Sequence, residues 1–281
     1  CHRTHQGLVR ASNQDSLLAE GRLYGVADGM GGHKGGETAS RVAVQVVKNA
    51  LSRKKPEEDA LRMFRALRFS ARLGFTIEEK TLSAIEKKAP LAASLAPERV
   101  RDEVEKILLT RSPEMVYTLI ELGLLDAFLK KRMPEPWRLH RLGSIQRKAM
   151  PRWAALCCAL EKFGCIDSAE EFLAALRLDS RTIRCCSNAE VLVKQPKPAD
   201  KAAWKRALCA YGVDSVSCAA QCYDAFSGGG SARELRAVLK SGECFSMKHL
   251  AVTGDDLLEL GLRGRELGDM LRFLLDYVME Y

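Results

Sequence analysis

Aromatic residues make up only 6% of the sequence, a scarcity that argues against the aromatic, β-branched grammar of an all-β domain. Leu, Ala, Arg, Lys and Glu fill the space instead, and these favour helices. No apolar run approaches the roughly 18 residues needed to span a bilayer, so no membrane partner is expected. No secretory leader precedes the ten cysteines, and none makes the paired C-x-x-C spacing of a zinc site. Cys157 with Cys158 and Cys185 with Cys186 are adjacent pairs inside helical patterns, while Cys218 and Cys222 lie one helical turn apart. They read as reduced, mostly buried, small apolar residues of a cytoplasmic protein. A fixed-period repeat is also missing, which argues against a solenoid or propeller.

A length of 281 residues with 47% hydrophobic content suffices for one large domain or two ordinary ones. The net charge of +8 biases the surface toward polyanions such as RNA, DNA or acidic membrane. Charge alone does not separate a solvated basic surface from a binding one; a patterned patch is required. The sequence begins with Cys1, already inside a motif, and so reads as a fragment or a processed chain.

Two grammars meet near residue 50. Residues 6 to 32 hold short alternating runs and a glycine cluster, with Leu23-Tyr24-Gly25-Val26-Ala27 reading as a buried strand that ends in Asp28-Gly29. Residues 37 to 51 read as a helix packed on that strand. From Pro56 onward helix follows helix, broken at Gly74, Pro90, Pro97, Pro113, Gly123, the Pro134 to Pro136 cluster, Gly143, Pro151, Gly164, Pro196-Lys197-Pro198 and 227–231. The basic stretch Ser52-Arg53-Lys54-Lys55-Pro56 is the expected seam, and Gly228 to Gly230 the expected flexible joint before a C-terminal tail.

In the first piece, Gly7-Leu8-Val9-Arg10, Asn13-Gln14-Asp15, Val26-Ala27-Asp28-Gly29-Met30-Gly31-Gly32-His33 and Gly36-Glu37 follow one another in an order that resembles the opening of bacterial metal-dependent protein phosphatases of the PP2C family. A carboxylate at a strand end beside a glycine turn lets Asp28 and the Gly29 carbonyl approach a hard divalent cation. The resemblance implies that Asp28 and Gly29 bind paired Mn or Mg ions, that Asp15 acts through metal-bound water, and that Arg10 holds a substrate phosphate. Nothing from residue 57 onward supplies the further aspartates of such a site, so these four positions are expected to be vestigial and catalytically dead.

The most informative stretch runs from Pro56-Glu57-Glu58-Asp59 to Leu73-Gly74-Phe75. Proline and acids suit a helix N-terminus, and Gly74 ends it. At 3.6 residues per turn Ala60, Met63, Phe64, Leu67 and Ala71 share one apolar face, while Arg62, Arg65, Arg68 and Arg72 form a separate cationic stripe. Taken alone, the stretch is also a solvated helix with a Glu58 to Arg62 ion pair, worth a few tenths of a kcal/mol. Yet Glu58-Asp59-Ala60-Leu61-Arg62, then Arg65-Ala66-Leu67-Arg68-Phe69 and Ala71-Arg72-Leu73-Gly74-Phe75, resemble the neck signature of CCA-adding tRNA nucleotidyltransferases and bacterial poly(A) polymerases. That resemblance implies a nucleotide-reading set of Glu58, Asp59 and Arg62: the carboxylate accepts from the exocyclic amine of C or A, and the guanidinium donates to a ring acceptor.

Downstream, Pro97-Glu98-Arg99-Val100-Arg101-Asp102-Glu103-Val104-Glu105-Lys106-Ile107-Leu108 resembles the second neck motif of that family, whose charged residues brace the reading helix. Three later segments, beginning at Glu121, Pro151 and Leu176, resemble helices of its body. The stretch from His249 to Gly268 resembles its tail, with Thr253 as a helix cap, Gly261 and Gly264 permitting positive φ, and Arg265 where the family has proline. RNA contacts are expected at Arg65, Arg68, Arg72, Arg99, Arg101, Lys106, Arg263 and Arg265.

The expected architecture is mainly α: a multi-helix array with neck 57–112, body 113–226 and tail 227–281. A truncated, incomplete α/β (PP2C-like) segment at 1–50 and a junction at 51–56 precede it. The implied partners are tRNA with CTP and ATP. No G-S-x-x-R followed by D-x-D occurs before residue 57, so the chain is expected to be incomplete for nucleotidyl transfer and for phosphatase chemistry, binding Mg or Mn only where a complete site is supplied. Two other readings stay open: a phosphatase-like metal-binding regulator with an accessory helical domain, and a chimeric gene product with no evolved joint function.

Overall fold

The computed structural model describes residues 16–20, 23–27, 40–44, 56–136 and 139–280; Pro56 to Asp59 are described by their backbone alone. Arg10, Asp15, Asp28 and Gly29 lie outside the described residues. Within 1–50 the described part is an antiparallel hairpin of β1 (Ser16–Glu20) and β2 (Leu23–Ala27), with a helical turn at 40–44. The strand expected at Leu23 to Ala27 is present. It is not buried as expected, since Val26 is 64% exposed.

The remainder is helical, with no strand among the described residues after residue 56. Two compact units partition the chain: 1–140 with 163–165 and 175–177, and 141–162 with 166–174 and 178–281.

In the first unit, α1 (Pro56–Leu73) packs against α3 (Pro97–Leu108) and the 3-10 stretch Ala89–Ser94, with α2 (Glu79–Lys88) between them in sequence and α4 (Val116–Glu121) following. The apolar face read from the sequence is the buried one: Ala60, Phe64 and Leu67 are fully covered, and Met63 and Ala71 nearly so. Removing side chains the size of Phe64 or Leu67 from water stabilises the fold by about 1.5–3 kcal/mol each. Gly74 stops α1 by taking φ 75°, which lets its N–H reach the Ser70 carbonyl at 2.8 Å.

The second unit is built on α5 (Ala149–Lys162), in which ten consecutive residues, Pro151 to Leu160, are buried. A helix covered on every side is a core helix rather than an amphipathic one. It packs against α7 (Ser180–Lys194) and the long α8 (Lys201–Phe226), while α6 (Ala169–Ala175) supplies Phe172, which meets Trp153 edge to face at 6.4 Å. Two aspartates start the long helices: Asp179 accepts from the Thr182 N–H at 2.9 Å, and Asp200 from the Ala203 N–H at 2.7 Å.

Three breaks differ from expectation. Pro151 does not interrupt a helix but occupies the first turn of α5, where the missing N–H has no intrahelical acceptor to lose. Gly212, at φ 78° and ψ 162°, divides α8 in its middle, where no break was expected. The glycines 228–230, expected to be a flexible joint, form a tied turn before α9 (Ser231–Lys240). Asp224 accepts from the N–H groups of Ser231 at 2.5 Å and Ala232 at 3.0 Å. After α9 come α10 (Gly254–Glu259) and α11 (Gly264–Glu280). In α11 Leu275 and Met279 are buried, while Val278 is 39% exposed.

All nine described cysteines are free thiols, and seven are buried, as their placement in apolar patterns implied. Cys157, Cys158, Cys185, Cys186, Cys218 and Cys222 gather where α5, α7 and α8 meet, and burial is the first cause pushing the Cys186 and Cys218 thiols far up, Cys218 to about 12. Two consequences are measurable. At pH 8 the folded protein should react with a thiol reagent at exposed Cys209 and, more slowly, at half-buried Cys244, with the buried seven reacting only after denaturation; rapid modification of Cys186 in the native state would contradict this core. Asp224→Ala, which strips two N–H groups of a charged acceptor, should lower stability by about 2 kcal/mol in thermal unfolding.

Candidate nucleotide and RNA interface

The organising residue in the neck is one the sequence reading did not single out. Glu103 on α3 is 4% exposed, on the same helical face as Val100, Val104 and Ile107. A carboxylate at that spacing is desolvated unless cations come to it. They do: Arg68 Nε lies 2.6 Å from Glu103 Oε2, Lys106 Nζ 3.4 Å from Oε1, and Arg65 Nε 3.9 Å from Oε1. The Arg68 approach is close without the angle of a hydrogen bond, so it is an ion contact. Arg68 is further held with its guanidinium carbon 4.4 Å above the Phe69 ring. The signal was present in the sequence, as an acid within an otherwise apolar i, i+3, i+4 pattern.

The expected cationic stripe is thus not one exposed surface. Arg62 is buried, at 6% exposure; Arg65 and Arg68 converge on Glu103; Arg72 is exposed in the last turn of α1. Glu58 and Asp59 occupy the first turn of α1, one helical turn before Arg62, and their side chains lie outside the described residues. On α3, Arg99 is exposed, and Arg101 bonds Asp102 at 2.8 Å and the Arg177 carbonyl at 2.7 Å.

In the second unit, Thr253 and Asp256 form a reciprocal capping box at the start of α10. The Thr253 N–H and hydroxyl both donate to the Asp256 carboxylate at 2.7 Å, which holds that carboxyl below its ordinary range. Gly261 (φ 90°) and Gly264 (φ 56°) take the positive angles expected of them; Arg263 stands exposed between the two helices and Arg265 exposed in the first turn of α11, 3.7 Å from Asp269. Among the described residues no group of three or more His, Cys, Asp or Glu is placed to hold a metal ion, and no helix is long and apolar enough to cross a membrane.

The helical sequence that builds this arrangement has counterparts among known proteins. Residues 74–135 match a family model described as the probable RNA and SrmB-binding site of polymerase A. A CCA-adding enzyme of Geobacillus sp. (strain WCH70) is 31% identical over 88% of this chain and 60% of its own length. The CCA-adding enzyme of Limosilactobacillus fermentum is 29% identical over 95% of this chain and 65% of its own. A crystal structure of the Bacillus stearothermophilus CCA-adding enzyme in complex with CTP superposes with a TM-score of 0.65 at 27% identity, over 88% of this chain and 63% of that one. The helical part of this chain is similar to that of CCA-adding enzymes. The chain spans three fifths to two thirds of the length of these relatives. The match to the Limosilactobacillus enzyme leaves only a twentieth of the chain outside, so it enters the first fifty residues.

The Glu103 cluster makes a graded expectation. Glu103→Ala strands a mostly buried Arg68 and should cost about 3 kcal/mol in urea unfolding, whereas Lys106→Ala, at a side chain 53% exposed, should cost under about 1 kcal/mol. Equal losses would mean that the cluster is a solvated surface network.

Proposed function

We propose that the helical part of this chain binds tRNA and presents a base-reading edge at Glu58, Asp59 and Arg62. The observation that carries the reading is the likeness, over most of the chain, to a CCA-adding enzyme solved with CTP, together with an E-D-x-x-R helix braced through a buried carboxylate. In this reading residues 57–112 are the neck, 113–226 the body and 227–281 the tail. Asp59 accepts from an exocyclic amine and Arg62 donates to a ring acceptor, which distinguishes C and A from the other bases. The burial of Arg62 supports this role, because a guanidinium already held in place loses little freedom on meeting a base. Exposed Arg72, Arg99, Arg263 and Arg265 supply phosphate contacts, with Arg65, Arg68, Arg101 and Lys106 at their edges.

The same reading assigns no completed chemistry to these 281 residues. Attack on an α-phosphate needs ions held by paired carboxylates, and the sequence has none in the order that nucleotidyltransferases use. Residues 1–50 are read as a vestigial phosphatase-like opening in which Asp15, Asp28, Gly29 and Arg10 do not complete a two-metal centre.

Filter binding at moderate salt should show a preference for tRNA over an unrelated RNA duplex, with affinity falling steeply as salt rises. Absence of that preference defeats the reading. With Mg and labelled CTP or ATP the chain should add nothing to a tRNA lacking its 3′ end, and with Mn it should not hydrolyse p-nitrophenyl phosphate. Addition would reveal an active site, and hydrolysis lost in Asp28→Asn would revive the phosphatase.

A further inference from the structure

Arg177 is the one non-glycine residue with positive φ among the described residues, at 58°. It follows α6, and the turn around it closes with the Leu178 N–H donating to the Leu173 carbonyl at 3.1 Å. In a turn of this kind the left-handed position belongs by preference to glycine, because any β-carbon there crowds the following carbonyl. Ten described glycines do take positive φ elsewhere in this chain, so the fold uses glycine freely for such turns.

Retaining arginine at Arg177 brings no internal return that the structure records. Its side chain is exposed, and its guanidinium meets no carboxylate or carbonyl among the described residues. Other exposed arginines are engaged, such as Arg132 with Asp126 at 2.7 Å and Arg181 with Asp214 at 2.6 Å. What fixes the turn is the backbone of Arg177, whose carbonyl accepts from Arg101 Nη1 at 2.7 Å. That bond brings a second guanidinium to the same turn, with its other edge on Asp102. The strained turn thus holds at the surface a side chain that has no internal partner, the kind of arrangement stored at binding sites.

We propose that Arg177, with Arg101 fixing its turn, is a phosphate-contacting residue for an RNA backbone. Neither the neck motifs nor the tail arginines include it. The inference rests on the tRNA-binding reading above and adds a contact site to it. A fixed backbone presents the free arginine fork to a phosphate, where two parallel N–H donors match two oxygens.

The test uses the full chain, with Arg177→Gly and Arg177→Lys, in tRNA filter binding at several salt concentrations and in thermal unfolding. Arg177→Gly should leave the melting temperature unchanged or raise it by up to about 3 °C, since glycine relieves the turn. It should weaken tRNA binding about 3- to 10-fold and make the salt slope shallower by about 0.9, the loss of one phosphate contact. Arg177→Lys should keep the full slope, because the charge remains, and should lose only part of the affinity, with the two-pronged contact. A glycine variant that binds like the wild type overturns the proposal while leaving the tRNA reading intact. A glycine variant that loses binding together with melting temperature overturns it as well, by making Arg177 a structural residue. A wild-type chain without preference for tRNA removes the reading and this inference with it.

Discussion

A buried carboxylate attracts charge, and in the neck that attraction determines which arginines are left for anything else. Glu103 draws Arg65, Arg68 and Lys106 toward the interface of α1 and α3, and so ties the two helices together. Replacing the ion cluster by apolar residues of similar size would hold two helices as well or better, so stability alone does not account for it. What the cluster adds is direction: α1 cannot rotate about its own axis without withdrawing Arg68 from Glu103, so the buried Arg62 on the same stripe keeps one azimuth.

The second unit solves a different problem by different means. Its central helix has no outward face, and nearly all its specificity comes from shape. The few charges inside are each answered: Arg152 donates to the Ile145 carbonyl, and Glu190 accepts from the Ala169 N–H at 2.6 Å while also meeting Lys194 at 2.9 Å. Precise polar work is confined to helix ends, at Asp179, Asp200, Asp224 and Thr253, where N–H groups would otherwise lack acceptors.

Much of this was legible in the sequence because it follows period and punctuation. The apolar face of α1, its stop at Gly74, the start of α3 at Pro97, the Thr253 cap and the strand at Leu23 to Ala27 all come from side-chain spacing or from residues with one favoured backbone state. What escaped is what needs a second segment. Arg62, Arg65, Arg68 and Arg72 share a helical stripe, yet one is buried and two are drawn inward, because the deciding residue sits 35 positions beyond Arg68 on another helix. Gly212 lies among helix-favouring neighbours and gives no local sign that α8 breaks there. Glycines 228–230 look like a linker until the Asp224 carboxylate is placed against the following N–H groups.

The sulfur-lined core has a kinetic side. Burial keeps six thiols out of reach where α5, α7 and α8 meet, but only while those helices stay closed. Each transient opening exposes neighbouring thiols at once, and an oxidant that joins two of them traps the open helices. In a reducing medium such openings are reversible and leave no trace. In an oxidising one they act as a ratchet, and the loss of native chain follows the fraction of time the core stands open.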